Sequence, residues 1–596
     1  MNKLLIANRG EVSIRIASAA VELGIETVSI YTEEDAKSLH RYRSNASVLL
    51  KGNGIQPYLD IQQIVDIATT HGCDAVHPGY GFLSENPSFA EAITNAGLVF
   101  VGPPAKALQL LGDKIRARAL ALDCGIDTLR GTDSSIGSVE ALEFFESLPS
   151  GSRMILKAVA GGGGRGMKVI SSLDDVIESF DRCTSEAELA FGDGRIYAEE
   201  FLPSSRHIEV QVLGDGTGAV SHFWDRDCSI QHRHQKIIEV APVPNIDESL
   251  ERRLLSDAVS LMESVAYESL GTIEFLLDST GQRYTFIEVN PRLQVEHTIT
   301  EMITGTDLVG AQLKIASGAT LESLNLVQSK ISNPKGYAIQ SRINMESIKT
   351  GGKSRPTGGI IDKFSLPSGQ GIRCDTYGYA GYETSPVFDS LLAKIIVHSV
   401  SGDYSDAVRK AYRSSCEAEI GGFTTTLPLV RNLLASDEFL GYEIHTQFLD
   451  QNLDSLLAEL DHPSYSVISL SNRDGRKIGT DISSDDPLAI LSIGTPRTKS
   501  NMEDSVQAYS MSEGSEVITA PMQGTVVSVD VEVGGEAYTG MQVLVIEAMK
   551  MEHVITAPID GLVRELLVSS GDTIFEGEAL IALEGTEVTL KGEQLD

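Results

Sequence analysis

The chain has 596 residues, 42% hydrophobic and 22% charged, a globular composition long enough for several domains and inconsistent with wholesale disorder. Its net charge of −35 excludes nucleic acid as a natural partner, because that affinity rests on neutralising phosphates with cations. Six scattered cysteines show no metal-ligand spacing, and no run approaches the roughly 18 apolar residues of a membrane span, so a reduced, soluble, cytoplasmic protein is expected, an organellar matrix being the other compartment.

The N-terminal stretch alternates strand and helix. Leu4 to Ala7 is an apolar run, Glu11 to Leu23 has helical periodicity, and Thr27 to Tyr31 reads as a strand. Ile61 to Thr70 is helical, and Ala75 to His77 and Leu98 to Val101 are strand-like. Such alternation predicts a parallel sheet with crossover helices. A second α/β region follows over 113–331. A third, mixed region over 332–451 closes with helical stretches 405–417 and 426–435. Residues 452–515 are rich in Ser and Asp and weakly periodic, and are expected to be a linker, with Tyr465 to Leu470 and Leu488 to Ile493 as possible short strands.

The segment 516–585 contains an internal repeat. Thr519-Ala520-Pro521 recurs as Thr556-Ala557-Pro558, and at the same offset of 37 Gly524 recurs as Gly561, Gly534 as Gly571, Gly540 as Gly577 and Glu547 as Glu584. Short β-branched stretches between these glycines predict an all-β unit of two halves related by a pseudo-twofold. Glu547-Ala548-Met549-Lys550-Met551-Glu552 lies at the hairpin joining them. An isolated Met-Lys-Met is ordinarily a solvated hairpin. Within this repeat it resembles the biotin-attachment motif of biotinyl carrier domains, which implies a biotinyl-lysine at Lys550. A lipoyl domain shares the repeat and is the second reading.

Two further motifs carry chemistry. Gly161 to Gly166 satisfies G-x-G-x-x-G, but Met167 to Ile170 reads as a strand rather than the helix a dinucleotide fingerprint needs. A glycine hairpin between strands can fold over phosphates, or be a mere flexible turn. The second motif is Glu288-Val289-Asn290-Pro291-Arg292-Leu293-Gln294-Val295-Glu296-His297. Glu288 and Asn290 alternate onto one strand face, and Glu274 on the preceding strand can join them as hard oxygen ligands for Mg²⁺. Arg292 and Glu296 are suited to holding and deprotonating a small anion.

With His77 to Asn86, Gly112-Asp113-Lys114, the glycine loop and Arg226 to Gln231, this segment resembles biotin carboxylase over residues 1 to about 450. The resemblance implies an α/β and α+β protein: an ATP-grasp biotin carboxylase plus an all-β barrel-sandwich biotinyl domain. Its parts would be a Rossmann-like domain over 1–112, the ATP-grasp domain over 113–331 with a lid near 131–202, a C-terminal mixed domain over 332–451, and the carrier. It implies that Lys114, Lys157, Gly163, Gly164, the hinge Glu199, Glu200, Phe201 and Leu202, and His207, Gln231, His234, Glu274 and Glu288 surround ATP. Glu274, Glu288 and Asn290 would bind Mg²⁺ or Mn²⁺. Lys236, Arg292, Gln294 and Val295 would hold bicarbonate, Glu296 would be the general base, and Arg342 would sit beside the biotin ureido oxygen. Two departures stand out: Gln340 where most members have Glu, although the pyruvate-type branch also uses Gln, and His232 where Arg is usual.

The implied activity is the first half-reaction of an acetyl-CoA or propionyl-CoA carboxylase of fatty acid metabolism. Pyruvate and urea are the alternative acceptors, and another ATP-grasp ligase or a non-catalytic scaffold are readings from other classes. Expected partners are a separate carboxyltransferase β subunit, a biotin protein ligase and a second copy in a homodimer. The alternative is that the chain is the front part of a longer polypeptide.

Overall fold

A computed structural model describes residues 1–160, 166–463, 515–548 and 551–585. Gly163, Gly164 and Lys550, and most of the expected linker, lie outside the described residues. Residues up to 463 belong to one compact unit, and the carrier forms its own sheets.

The first domain follows from its alternation. Strands Lys3–Ile6, Glu26–Tyr31, Ala46–Leu49, Ala75–His77 and Val99–Phe100 form one parallel sheet, with Lys3–Ile6 between Glu26–Tyr31 and Ala75–His77. Helices Gly10–Glu22, Ile61–Thr70 and Pro87–Asn95 make the crossovers. Strands of a parallel sheet covered on both faces read as unbroken apolar runs, as Leu4, Leu5 and Ile6 do, all fully buried. Helix Lys114–Asp123 then starts at Asp113, whose carboxylate accepts from the backbone N–H of Ile115 and of Arg116, each at 3.1 Å.

A small lobe follows. Strands Met167–Ile170, Arg153–Ala158 and Ile196–Phe201 form an antiparallel sheet under helices Ser138–Ser147 and Val176–Phe191. The expected hairpin around the glycine loop is present, with Met154 opposite Ile170 and Lys157 opposite Met167.

The main sheet has eight strands in the order Tyr284–Asn290, Glu268–Leu277, Arg206–Asp215, Val220–His232, Gln235–Ala241, Tyr337–Asn344, Leu391–Ser399 and Ile372–Thr376. It crosses the expected boundary at 331/332, because Gln235–Ala241 pairs directly with Tyr337–Asn344. The second and third regions are therefore halves of one sheet, and the sheet carries residues of both to one place. Helices Tyr404–Glu417 and Leu427–Ala435 match expectation closely. The boundary expected at 451 falls inside helix Phe448–Leu456, and Leu453 and Leu456 join the core formed by Ile339, Val397 and Leu433. Burying two leucines contributes about 1.5–3 kcal/mol each, which ties this last turn to the domain.

The carrier is two four-stranded sheets. One orders Ser515–Thr519, Ala579–Gly585, Gly561–Leu566 and Glu536–Ala537; the other orders Met551–Thr556, Gln542–Ala548, Gly524–Val529 and Thr573–Ile574. Gly524–Val529 repeats as Gly561–Leu566 and Gln542–Ala548 as Ala579–Gly585, at the offset of 37 read from the sequence. Gly534 and Gly571 have φ of +87° and +95°, and Gly540 and Gly577 both +85°, a region that favours glycine. The repeat is thus written by its turns. Strands Gln542–Ala548 and Met551–Thr556 are neighbours in their sheet, and the link between them is Met549-Lys550.

Candidate active site

Strand Arg206–Asp215 alternates, so His207, Glu209 and Gln211 share one face. Register sets Glu209 opposite Glu274, and Glu274 opposite Glu288 on the next strand. Three adjacent carboxylates on one sheet face repel one another. Cations from neighbouring elements offset them. Lys236 bonds Glu209 and stands 2.7 Å from Glu296 Oε1 and 3.3 Å from Glu274 Oε1. The wholly buried Arg226 lies 2.9 Å from Glu209 Oε2 and bonds Gln211, Thr272 and Thr300. Gln231 Nε2 is 2.7 Å from His207 Nδ1, and His207 Nε2 is 2.8 Å from Glu274 Oε2. An amide nitrogen is a donor, so His207 accepts at Nδ1 and donates from Nε2 to Glu274.

On the other side of Glu296, Arg342 Nη2 donates to Glu296 Oε2 at 3.1 Å and Arg342 Nε to Glu239 Oε1 at 2.5 Å. Glu239 Oε2 accepts from Gln340 Nε2 at 3.0 Å, while Gln340 Oε1 accepts from Thr298. A glutamate at 340 would face Glu239 as a second buried carboxylate, so the amide suits this neighbourhood. Burial alone would raise Glu296, but Lys236, Arg342 and Arg226 outweigh it and hold its carboxyl well below the usual range. Glu274 is lowered in the same way, against burial, by Lys236 and His207. Glu239 goes the other way: burial, with Glu296 nearby, raises it despite Arg342. Lys236 is raised by Glu274 and Glu296 against the opposing effect of burial. Burial, Glu296 and Glu239 push the Cys228 thiol far above its ordinary value, so it behaves as a small buried group and not as a nucleophile.

The residues expected around nucleotide form further ion pairs. Lys114 Nζ lies 2.9 Å from Glu288 Oε2, and Glu288 and Glu85 raise its pKa against burial. Lys157 Nζ is 2.5 Å from Glu199 Oε2, and Arg118 is 3.2 Å from Glu199 Oε1. Glu199, Glu200 and Phe201 end a strand, Leu202 follows it, and Glu200 N–H donates to Arg130 O at 2.8 Å. Arg233 and His234 form the tight turn of the hairpin whose strands end at His232 and start at Gln235, with φ of +49° and +64°. Burial and Lys157 lower His234. His232 Nδ1 lies 2.8 Å from Asp450 Oδ1, so its departure from the usual Arg gives it a partner on the helix ending at Leu456.

Asn290 Nδ2 donates to Glu274 Oε1 at 2.8 Å and to Glu288 Oε1 at 3.4 Å, while its Oδ1 accepts from Arg292 Nη2 at 3.0 Å. Glu274 and Glu288 therefore converge, two carboxylates that fit a hard divalent cation, while Asn290 turns its amide nitrogen toward them and its Oδ1, the atom that could ligate a metal, toward Arg292. The set His207, Glu209 and Glu274 lies near enough for the same purpose. Arg292 Nε is 2.5 Å from Glu85 Oε1. Gln294 is buried, and its Nε2 has no hydrogen-bond partner among the described residues. An orphaned buried donor beside Arg292 fits an anion.

Lys236, Glu296 and Arg342 thus form the centre of a connected group of charged side chains that also takes in His207, Gln231 and Glu274, whereas nothing among the described residues brings Glu200, Phe201 or Leu202 into contact with it. Four contributors were not named from the sequence: Glu209, Glu239, Glu85 and Arg118. The available signal was a lone acid in an apolar strand, as in Ile237-Ile238-Glu239-Val240, and the polar alternation His207-x-Glu209-x-Gln211.

Family models match four consecutive stretches of the chain. They are the biotin carboxylase N-terminal domain over 1–108, the carbamoyl-phosphate synthase L chain ATP-binding domain over 113–324, the biotin carboxylase C-terminal domain over 340–451, and the biotin-requiring enzyme domain over 516–583. Mitochondrial pyruvate carboxylase of Mus musculus is 45% identical over 457 residues, 76% of this chain and 38% of its own length. The chain thus spans well under half the length of such curated relatives. Among solved structures, the biotin carboxylase domain dimer of Hydrogenobacter thermophilus 2-oxoglutarate carboxylase, in complex with MgADP, ADP and bicarbonate, is 37% identical. It aligns over 77% of this chain and 99% of that one with a TM-score of 0.73. A single-chain, multi-domain long-chain acyl-CoA carboxylase is 34% identical over 99% of this chain and 51% of its own, with a TM-score of 0.66. Curated relatives such as the Mus musculus and Caenorhabditis elegans proteins are pyruvate carboxylases, so the expected acetyl-CoA or propionyl-CoA branch is not confirmed by them. Among the described residues no helix is long and apolar enough to cross a membrane. With biotin carboxylase domains followed by a biotin-attachment domain, the chain belongs to the biotin-dependent carboxylases.

Proposed function

We propose that the chain catalyses ATP- and bicarbonate-dependent carboxylation of biotin carried on Lys550. The observation that carries this reading is the group Lys236–Glu296–Arg342, with the unpaired Gln294 amide and Arg292 beside it. Bicarbonate would bind Lys236, Arg292, Gln294 and the Val295 backbone. Glu296 would take its proton. Lys236 is Glu296's closest cation, so when it turns to the incoming anion Glu296 becomes a stronger base. Lys114 and Lys157, with the glycine loop, would offset charge on the nucleotide phosphates. Glu274, Glu288 and Asn290 would hold Mg²⁺ or Mn²⁺, which when bound supplies charge neutralisation at those phosphates. Arg342 would stand at the ureido oxygen of biotin, where its charge-assisted hydrogen bond stabilises developing negative charge.

For the whole protein, a 2-oxo acid such as pyruvate is the acceptor we favour, on the pyruvate carboxylase relatives and on Gln340. An acyl-CoA is the second reading, supported by the likeness to the long-chain acyl-CoA carboxylase across nearly the whole chain. A biotin protein ligase would modify Lys550, and the carboxylase part would pair with a second copy, as in the Hydrogenobacter domain dimer. Carboxyl transfer would fall to a carboxyltransferase, whether a separate β subunit or a further part of a longer polypeptide. The purified Lys550→Arg chain, which carries no biotin of its own on this reading, should release ADP from ATP only when bicarbonate and free biotin are both supplied. ADP release indifferent to either would overturn the reading.

A further inference from the structure

Lys394 has no role in the chemistry above, yet it is fully buried. It lies on strand Leu391–Ser399, directly opposite Arg342. Cross-strand neighbours point to the same face, and two like charges there are destabilising by themselves. The arrangement persists because each cation has its own acids. Arg342 has Glu239 and Glu296, while Lys394 Nζ lies 3.0 Å from Glu11 Oε2 and 3.6 Å from Asp375 Oδ2. The remaining contact of Lys394 is not to an acid. Its Nζ donates to the backbone carbonyl of Val295 at 3.1 Å.

That carbonyl belongs to the loop that ends in Glu296. The peptide group is planar, so fixing a carbonyl fixes the N–H on the other side of the same bond. Lys394 holds the plane joining Val295 to Glu296. The preceding plane is held by His297, whose Nδ1 lies 2.7 Å and whose backbone N lies 3.3 Å from Gln294 O. A carbonyl only accepts, so His297 carries its proton on Nδ1. Burial and the nearby Lys394 keep that imidazole neutral, which leaves the tautomer free to serve as a fixed donor. The Val295 N–H lies on the plane that His297 sets, and the Glu296 side chain grows from the plane that Lys394 sets.

We infer that Lys394 is a positioning residue of the anion pocket, clamping with His297 the two peptide planes that aim the Val295 N–H and the Glu296 carboxylate at bicarbonate. This rests on the proposed bicarbonate site. Glu11 comes from the start of helix Gly10–Glu22 and Asp375 from strand Ile372–Thr376, so the clamp also ties the first domain and the far edge of the main sheet to the loop.

The test is steady-state, bicarbonate-dependent ATP cleavage with free biotin, in wild type, Lys394→Met and Lys394→Met/Glu11→Gln. The second variant removes a carboxylate that the first leaves buried without its Lys394 counter-charge, held only by the Tyr80 hydroxyl among the described residues, and it carries the test where the single variant does not fold. The expected result is a KM for bicarbonate raised about 10- to 100-fold in both, with the KM for ATP changed by no more than about threefold. An unchanged bicarbonate KM in Lys394→Met would overturn the inference. So would its recovery in the double variant, since recovery means that only charge balance mattered. A wild-type chain that cleaves ATP without regard to bicarbonate would sink the proposed function instead.

Discussion

Lys236→Met tests the charge balance at the centre of the cleft. Lys236 touches three buried carboxylates: Glu209, Glu274 and Glu296. Breaking a buried ion pair typically costs about 3–5 kcal/mol, because a charge is left uncompensated. Each of these acids keeps another partner, Arg226 for Glu209, His207 for Glu274 and Arg342 for Glu296, so the lower end, about 3 kcal/mol near pH 8, is expected. The sign of the pH dependence follows from the shifts. In the intact protein Glu296 and Glu274 are depressed, so their contribution is fully present above the unfolded glutamate value of about 4.3 and is lost only as pH falls through the lower folded values. Without Lys236 at least one of the three carboxyls is pushed above its unfolded value. The folded variant then binds an extra proton, and its stability rises as pH falls from 8 towards 5. Thermal unfolding of nucleotide-free protein across that range should show a deficit that is largest at pH 8 and shrinks towards pH 5. A deficit of the same size at both ends would refute the view that Lys236 neutralises these carboxylates.

Protein coexpressed with a biotin ligase should carry one biotin by intact mass, and Lys550→Arg should abolish it; a mutant that still binds streptavidin would move the attachment site elsewhere. Arg342→Ala should lose free-biotin carboxylation while ATP affinity stays within a few-fold, and a matching loss of ATP binding would remove the assigned role at the ureido oxygen. Leu453→Ala should destabilise the carboxylase unit by about 2–5 kcal/mol in denaturant unfolding, since this leucine is buried in the core beyond residue 451. No loss there would show that the last turn of this helix is not part of the core.

The sequence by itself determined what short-range chemistry controls. The offset of 37 fixed the two halves of the carrier, because each half is punctuated by glycines at positive φ and strands end where those turns begin. The alternation of apolar runs and helical periods was enough for the first domain, and strand alternation placed Glu288 and Asn290 on one face. What only the tertiary structure decided was which strands are neighbours. The contact of Gln235–Ala241 with Tyr337–Asn344 joins two regions that look separate in the chain, and it alone brings Glu239 to Arg342. Glu239 and Lys394 have no local signature beyond being charges in apolar runs, and Glu209 only a polar alternation with His207 and Gln211. Their meaning comes from partners 17 to 383 residues away, Arg226 for Glu209 and Glu11 for Lys394 marking the extremes. A buried charge persists only where its counter-charge is supplied, and that balance is a property of the assembled sheet rather than of any segment within it.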